Sequence, residues 1–245
     1  GTSANVVLGL CTASVETGFV SYLGNDEIGK QLLKVLEQSL IKDLVITHFD
    51  DKTNHTLVLV DEKSERTIIS MTTPHLRELR MDNVPFKAND VVAFILWREE
   101  FLEDLTRTQA AGCLTVVGAG ALADKNVRHA DLVIGSRTDF PVEVDPVDHL
   151  DRFTSIVITD GMQGAVLYSE ASEIRQSAFK VEVKDTTGAG DAFIAGYLAG
   201  VAHELTPNQS LEIAAKWAAS AVQSESSVPP AFEVVKEQWA IDLIP

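Results

Sequence analysis

Short apolar runs alternate with longer amphipathic or alanine-rich segments along most of the chain. The short runs are rich in β-branched residues and are bounded by Gly, Asp or Asn, which is typical of buried strands. The segment that Asp26 is expected to cap repeats its apolar residues every three or four positions, which is typical of a helix with one buried face. The pattern predicts strands at Phe19–Leu23, Val45–Phe49, Val91–Ile95, Leu114–Val117, Leu132–Ile134, Ile156–Thr159 and Ala165–Tyr168, and helices at Asp26–Leu40, Glu100–Ala111, Ala189–Ala202 and Ser210–Val222, with a last helix ending near Trp239.

Strands that alternate with helices of these lengths favour an α/β fold with a doubly wound, mostly parallel sheet. One stretch breaks the alternation, because the apolar runs Thr56–Val60 and Thr67–Met71 are separated only by a short polar segment. Two runs this close together predict a β-hairpin. We therefore expect one domain over residues 1–245 that carries a small β flap at residues 56–71.

The charge balance limits the kinds of partner. The chain has 36 acidic and 20 basic residues and a formal net charge of −16, so it has little basic surface for nucleic acid or an anionic membrane. No apolar run approaches the roughly 20 residues of a membrane helix. The two cysteines match neither a disulfide framework nor a zinc site. We expect a cytoplasmic protein and leave open whether it forms a homodimer.

A small-residue turn, Asp185-Thr-Thr-Gly-Ala-Gly-Asp191, stands directly before an apolar helix. The unpaired N–H groups and the dipole at a helix N-terminus favour an anion, and glycine lets the backbone approach a phosphate closely. Beside a phosphate, Asp191 would be placed to take a proton from an attacking hydroxyl. The alternative is that Asp191 only caps the helix, since helix starts favour Asp.

The string from Asp185 to Asp191 resembles the C-terminal motif of the ribokinase-like family of carbohydrate kinases. The resemblance implies that the amides of Gly188, Ala189 and Gly190 hold the transferring phosphate. It also implies that Asp191 is the base that activates the sugar hydroxyl. The interpretation from the residues and the resemblance agree.

Two further segments resemble family elements in the expected order. Thr159-Asp-Gly161-Met-Gln-Gly164 is similar to the family's Thr-x-Gly-x-x-Gly turn, and Ala4-Asn5 is similar to the end of its Gly-Gly-x-x-Asn element. The first segment implies an ATP site and the second a contact with sugar hydroxyls. The resemblance thus assigns ATP to Thr159, Gly161, Gly164, Asp185 and Thr186, and the sugar to Gly1, Asn5 and Asp191.

The chain also departs from the family pattern. Where the family carries Asn-x-x-Glu for magnesium and its waters, this chain has Ser136 and Asp139, so we expect these residues to meet Mg²⁺ through water. The family's first strand, with an acidic residue that binds sugar hydroxyls, should precede Gly1. We therefore expect the natural protein to extend upstream of Gly1 by such a strand.

These features together predict an ATP-dependent phosphotransferase that uses Mg²⁺ and phosphorylates a hydroxyl of a small sugar or sugar-like substrate. A nucleoside kinase is the near alternative within the same family. A different class, an inactive binding or regulatory protein with the same fold, is favoured by the altered pair Ser136 and Asp139. The intact turn that ends at Asp191 counts against that alternative.

Overall fold

The computed structural model describes residues 1–60, 66–70, 79, 81–140 and 145–241. The chain divides into two compact units, one formed by Gly1–Glu16 with Pro85–Pro245 and the other by Thr17–Val84. The helices are α1 (Thr2–Leu10), α2 (Glu27–Glu37), α3 (Leu102–Ala110), α4 (Ala189–Ala202), α5 (Pro207–Ala221) and α6 (Phe232–Trp239), and the strands are β1 (Gly18–Gly24), β2 (Asp43–Phe49), β3 (Thr56–Val60), β4 (Arg66–Ser70), β5 (Val91–Phe94), β6 (Leu114–Gly118), β7 (Ala130–Ser136), β8 (Phe153–Thr159), β9 (Ala165–Ser169) and β10 (Glu173–Gln176).

The first unit is built on a six-stranded sheet with the order β10-β9-β8-β7-β6-β5. Strands β5 to β8 are parallel, whereas β9 and β10 are antiparallel to their neighbours. Most residues of the central strands β6 to β8 are buried, as expected for parallel strands that are covered on both faces. This mixed, mostly parallel sheet with flanking helices confirms the predicted α/β class.

The buried helix α4 lies at the centre of the helical layer. It packs against α1 and α5 and also contacts β7. Every residue from Ala192 to Gly200 is buried, so the helix is apolar on all sides, as expected for a helix enclosed by other elements. The first turn of α4, which contains Asp191, directly precedes these buried residues, and their packing fixes its position.

The second unit contains the helix α2, a parallel pair of strands and a hairpin. Strands β1 and β2 are parallel, and β3 pairs with β4 in antiparallel register from Thr56 opposite Ser70. The hairpin was predicted, and its second strand begins at Arg66, one residue earlier than expected, whereas Met71 falls outside the described residues. The role of residues 56–71 as a flap of a single kinase domain stays a prediction.

Two helix boundaries differ from the predicted ones by three residues, each for a local reason. Helix α2 ends at Glu37 rather than near Leu40, and the Ser39 hydroxyl donates to the Leu36 carbonyl at 2.6 Å just beyond the last turn. Helix α5 begins earlier than predicted because Thr206 and Gln209 form a capping box. Among the described helices, none is long and apolar enough to cross a bilayer.

Candidate active site

The turn before α4 is organised by its own first residue. The Asp185 carboxylate accepts hydrogen bonds from the Thr187 N–H at 2.8 Å and from the Thr187 hydroxyl at 2.7 Å. The N–H groups of Lys184 and Asp185 donate to the Val222 carbonyl at 2.8 and 3.2 Å. The turn is therefore tied to the segment after α5. Two residues of this turn were assigned to ATP. The Asp185 side chain stabilises the turn through its hydrogen bonds with Thr187, and Thr186 is exposed.

The end of this turn presents backbone N–H groups at the start of α4. Gly188 has φ +81° and precedes the helix as its N-cap. The Ala189 N–H makes a long hydrogen bond of 3.3 Å to the Thr186 carbonyl. The N–H groups of Gly190 and Asp191 have no partner within the part of the chain that the structure describes. Together with the helix dipole, these groups form a positive end that favours an anion.

Gly188 and Gly190 differ in the space around them. A Cβ atom on Gly188 would lie 2.2 Å from the carbonyl oxygen of Ser227, whereas a Cβ atom on Gly190 would meet nothing within 4 Å. Gly188 is therefore required by the protein's own backbone. Gly190 faces open space, where a ligand can approach the helix N-terminus.

Asp191 is joined to α1 through Asn5. The Asn5 side-chain nitrogen donates to Oδ2 of Asp191 at 2.7 Å and to the Ser227 carbonyl at 3.0 Å. Partial burial raises the pKa of Asp191 above its ordinary value, while hydrogen bonds from Asn5 and Thr2 act in the opposite direction. A carboxylate with a raised pKa is a stronger base than an exposed one, and such groups concentrate at functional sites.

The raised pKa of Asp191 predicts a pH-dependent gain in stability for Asp191→Asn. Because the folded protein binds this proton more tightly than the unfolded chain, the stabilisation is complete below the unfolded pKa of about 3.9 and is lost as pH rises through the folded pKa. The thermal unfolding midpoint of Asp191→Asn should therefore match that of the wild type near pH ~4 and exceed it near pH ~7. A matched Asp151→Asn variant, at an exposed position, should show no such divergence. Parallel curves for Asp191→Asn and the wild type would contradict the prediction.

The residues predicted to line the ATP site follow β8. Thr159 ends the strand, and the turn closes through hydrogen bonds from the Asp160 N–H to the Gly164 carbonyl at 2.8 Å and from the Gly164 N–H to the Gly161 carbonyl at 3.1 Å. Thr159 lies opposite Ser136 in the parallel register of β7 and β8. The structure therefore brings the predicted ATP turn and the predicted metal residues to the same edge of the sheet.

Ser136 and Asp139 form a capping box. Oδ2 of Asp139 accepts the Ser136 N–H at 2.9 Å, and the Ser136 hydroxyl lies 3.0 Å from the Thr138 hydroxyl. Among the described residues, no group of three or more His, Cys, Asp or Glu side chains could hold a metal ion. Mg²⁺ usually keeps several waters and binds one or two carboxylates plus substrate phosphates. A carboxylate already used in a capping box fits that ion through water rather than as a direct ligand.

The predicted residues thus form two groups. One surrounds Asp191, which is hydrogen-bonded to Asn5, and the other surrounds Thr159, which pairs with Ser136 in the sheet. Gly1, assigned to the sugar, accepts the Asn5 N–H at 3.0 Å through its carbonyl and caps α1. Sequence reasoning missed the contributions of Thr2 and of the Ser227 carbonyl. A backbone carbonyl leaves no signal in residue type, so only the fold reveals that Ser227 belongs to this site.

Comparison with known proteins agrees with this architecture. Residues 1–232 match the pfkB family of carbohydrate kinases. The chain is 24% identical over 235 residues to a fructokinase of Salmonella typhimurium, and the alignment covers 82% of this chain and 76% of the relative.

Solved structures share the fold. An Arabidopsis thaliana ribokinase complexed with ribose and ATP matches with a TM-score of 0.78 at 20% identity, covering 99% of this chain and 88% of that chain. A nucleoside kinase of Methanocaldococcus jannaschii, an archaeal member of the ribokinase family, matches with a TM-score of 0.79 at 21% identity, covering 97% and 85%. At these identities the likeness establishes the fold.

Proposed function

The chain belongs to the pfkB family of carbohydrate kinases, and from that membership we propose that the site around Asp191 transfers the γ-phosphoryl group of ATP to a hydroxyl of a small sugar. The chain is accordingly a phosphotransferase with an alcohol acceptor. The observation that carries the assignment of the site is the pairing of a partly buried carboxylate with free backbone N–H groups in one helical turn.

The proposed chemistry divides between the Asp191 side chain and the backbone of its turn. Asp191 accepts the proton of the acceptor hydroxyl as the hydroxyl oxygen forms a bond to the γ-phosphorus. The bond from that phosphorus to the β-phosphate oxygen breaks, ADP leaves, and the proton passes from Asp191 to solvent. The N–H groups of Gly190 and Asp191 face the transferring phosphoryl oxygens, where fixed donors contribute most to the rate.

The remaining assignments concern the residues that would contact ATP and its metal ion. Thr159, Gly161 and Gly164 would contact ATP at the end of β8, with Asp185 and Thr186 shaping the phosphate side. When bound, Mg²⁺ neutralises negative charge on the ATP phosphates. Ser136, which lies opposite Thr159 in the sheet, and Asp139, in the turn after that strand, would orient the waters of that ion. Cytoplasmic location and a homodimer stay predictions.

The acceptor is proposed as a sugar because the matched relatives include a fructokinase and a ribokinase. The nucleoside kinase among the structural neighbours keeps a nucleoside as the second candidate. The two candidates share the hydroxyl chemistry at Asp191. They differ in whether the acceptor site admits a base attached to the sugar.

An acceptor screen tests the proposal. ADP formation should be measured with ATP and magnesium in the presence of D-fructose, D-ribose or adenosine, and compared with reactions without acceptor. We expect acceptor-dependent ADP formation with at least one sugar and its loss in Asp191→Asn. A preference for adenosine would select the nucleoside candidate. ATP binding without ADP formation across a broad panel of sugars and nucleosides would favour the inactive binding protein.

A further inference from the structure

Both hydrogens of the Asn5 side-chain amide are donated to other groups of the protein. Its Nδ2 atom donates to Oδ2 of Asp191 at 2.7 Å and to the carbonyl oxygen of Ser227 at 3.0 Å. The amide nitrogen carries two donors and the amide oxygen only acceptors. A flipped amide would place its oxygen against two other oxygens, so these partners set the orientation of Asn5.

The same contacts connect three parts of the first unit. Asn5 lies on α1, Asp191 on the first turn of α4, and Ser227 in the segment before α6. The Ser227 carbonyl also stands where a Cβ atom on Gly188 would come within 2.2 Å. A single carbonyl oxygen therefore touches both the turn that presents the N–H groups and the residue that holds the carboxylate.

We propose that Asn5 is a positioning residue, which holds the Asp191 carboxylate in one orientation beside the N–H groups of α4 and keeps it ionised and ready to accept a proton. The proposal rests on the proposed function for the choice of Asp191 as base. A carboxylate offers about four acceptor positions, so the hydrogen bond from Asn5 leaves room for the incoming proton. The Asn5 amide oxygen has no partner among the described residues and is the atom left to accept a hydrogen bond from the acceptor.

The electrostatics agree with this role. Burial raises the pKa of Asp191, and the Asn5 hydrogen bond is the largest of the effects that oppose it. The groups that face Asp191 from the elements around α4 include Asn5 and the Thr2 hydroxyl. The Thr2 hydroxyl stays in place when Asn5 is replaced, so a comparison of Asn5 variants isolates the contribution of the amide.

Titration of the Asp191 carboxyl group tests the proposal without any acceptor. The protein is labelled with ¹³C in its aspartate carboxyl groups, and the Asp191 signal is identified by its loss in Asp191→Asn. We expect Asn5→Ala to move the Asp191 titration midpoint upward by about one pH unit, because a hydrogen bond to the ionised form is lost. Asn5→Asp, which keeps the size of the side chain, should move it further upward because it adds a second carboxylate. Asn208→Ala, at an exposed position on α5, should leave it unchanged.

Kinetics with an acceptor found in the screen supply a second measurement. In Asn5→Ala the acidic limb of the pH profile of kcat/KM should move upward with the carboxyl titration, and kcat should fall while the KM for ATP is retained. A residue that only binds the acceptor would raise the acceptor KM and leave the acidic limb in place. A raised acceptor KM with an unshifted acidic limb overturns the proposal. An unchanged Asp191 titration in folded Asn5→Ala and Asn5→Asp overturns it as well. A shifted titration upholds it even if the screen finds no acceptor.

Discussion

Replacing Asp191 with Asn is expected to lower turnover by about 10²–10⁴-fold, because an amide of the same size cannot accept the proton of the acceptor hydroxyl. ATP binding should be retained or slightly strengthened, since the N–H groups of α4 remain and a negative charge beside the phosphates is removed. The measurement is the rate of ADP formation at saturating acceptor, together with calorimetric binding of a non-hydrolysable ATP analogue.

The matched control for this change is Asp151→Asn, which removes an equal charge at an exposed position. It should retain the wild-type turnover. If Asp191→Asn also turns over at a nearly normal rate, Asp191 is a helix cap and not the base. Because Asp191→Asn is expected to be at least as stable as the wild type near neutral pH, lost turnover cannot be attributed to unfolding.

Strands buried on both faces could be predicted from the sequence because burial makes them continuous apolar runs. Ala130–Ser136 and Phe153–Thr159 contain the predicted runs and extend them by four and three residues, respectively. The edge strand Glu173–Gln176 was missed. It is short, three of its four residues are polar, and within the described part of the chain it pairs only with β9, so its strand conformation is set by its neighbour rather than by its own pattern.

Helix α1 was missed for a different reason. Its sequence from Thr2 to Leu10 is apolar on most sides and contains Gly9, so it shows little helical periodicity. Its packing against α4 stabilises it, and a partner nearly 190 residues away cannot be identified from one sequence. The prediction that Asn5 belongs to the site came from the family resemblance, whereas its contact with Asp191 became visible only in the fold.

The turn before α4 could be predicted because glycines directly before an apolar helix are typical of a helix N-terminus that binds an anion. The roles of individual residues within the motif depend on contacts that the sequence does not encode locally. Asp185 was assigned to ATP, yet its carboxylate braces Thr187. Ser136 and Asp139 were assigned to magnesium, yet they cap one another. In both pairs the side chains satisfy nearby backbone donors, which limits what remains for a ligand.

A pair of glycine substitutions in the turn separates its structural role from its chemical one. Gly188→Ala should lower both stability and turnover. Alanine at φ +81° is strained by about 1–2 kcal/mol, and its Cβ atom would meet the Ser227 carbonyl at 2.2 Å. The carbonyl or the turn must then move, which displaces the N–H groups and withdraws a partner of Asn5. Loss of one such donor typically lowers kcat by about 10²–10³-fold.

Gly190→Ala should behave differently, because its Cβ atom would meet nothing within 4 Å beyond its chain neighbours and the backbone of its own helix, and its backbone lies in the first turn of α4. Alanine there should leave stability unchanged or raise it by up to about 1 kcal/mol, while its methyl group occupies the space beside the N–H groups. Turnover should fall although the fold is intact. Gly120→Ala, where the new atom would make ordinary contacts of 3.6 Å with Trp97, should change neither quantity. Thermal unfolding midpoints and rates of ADP formation, measured on Gly188→Ala, Gly190→Ala and Gly120→Ala, test these expectations. A stable Gly190→Ala protein with full turnover would show that no phosphoryl group approaches this end of the helix.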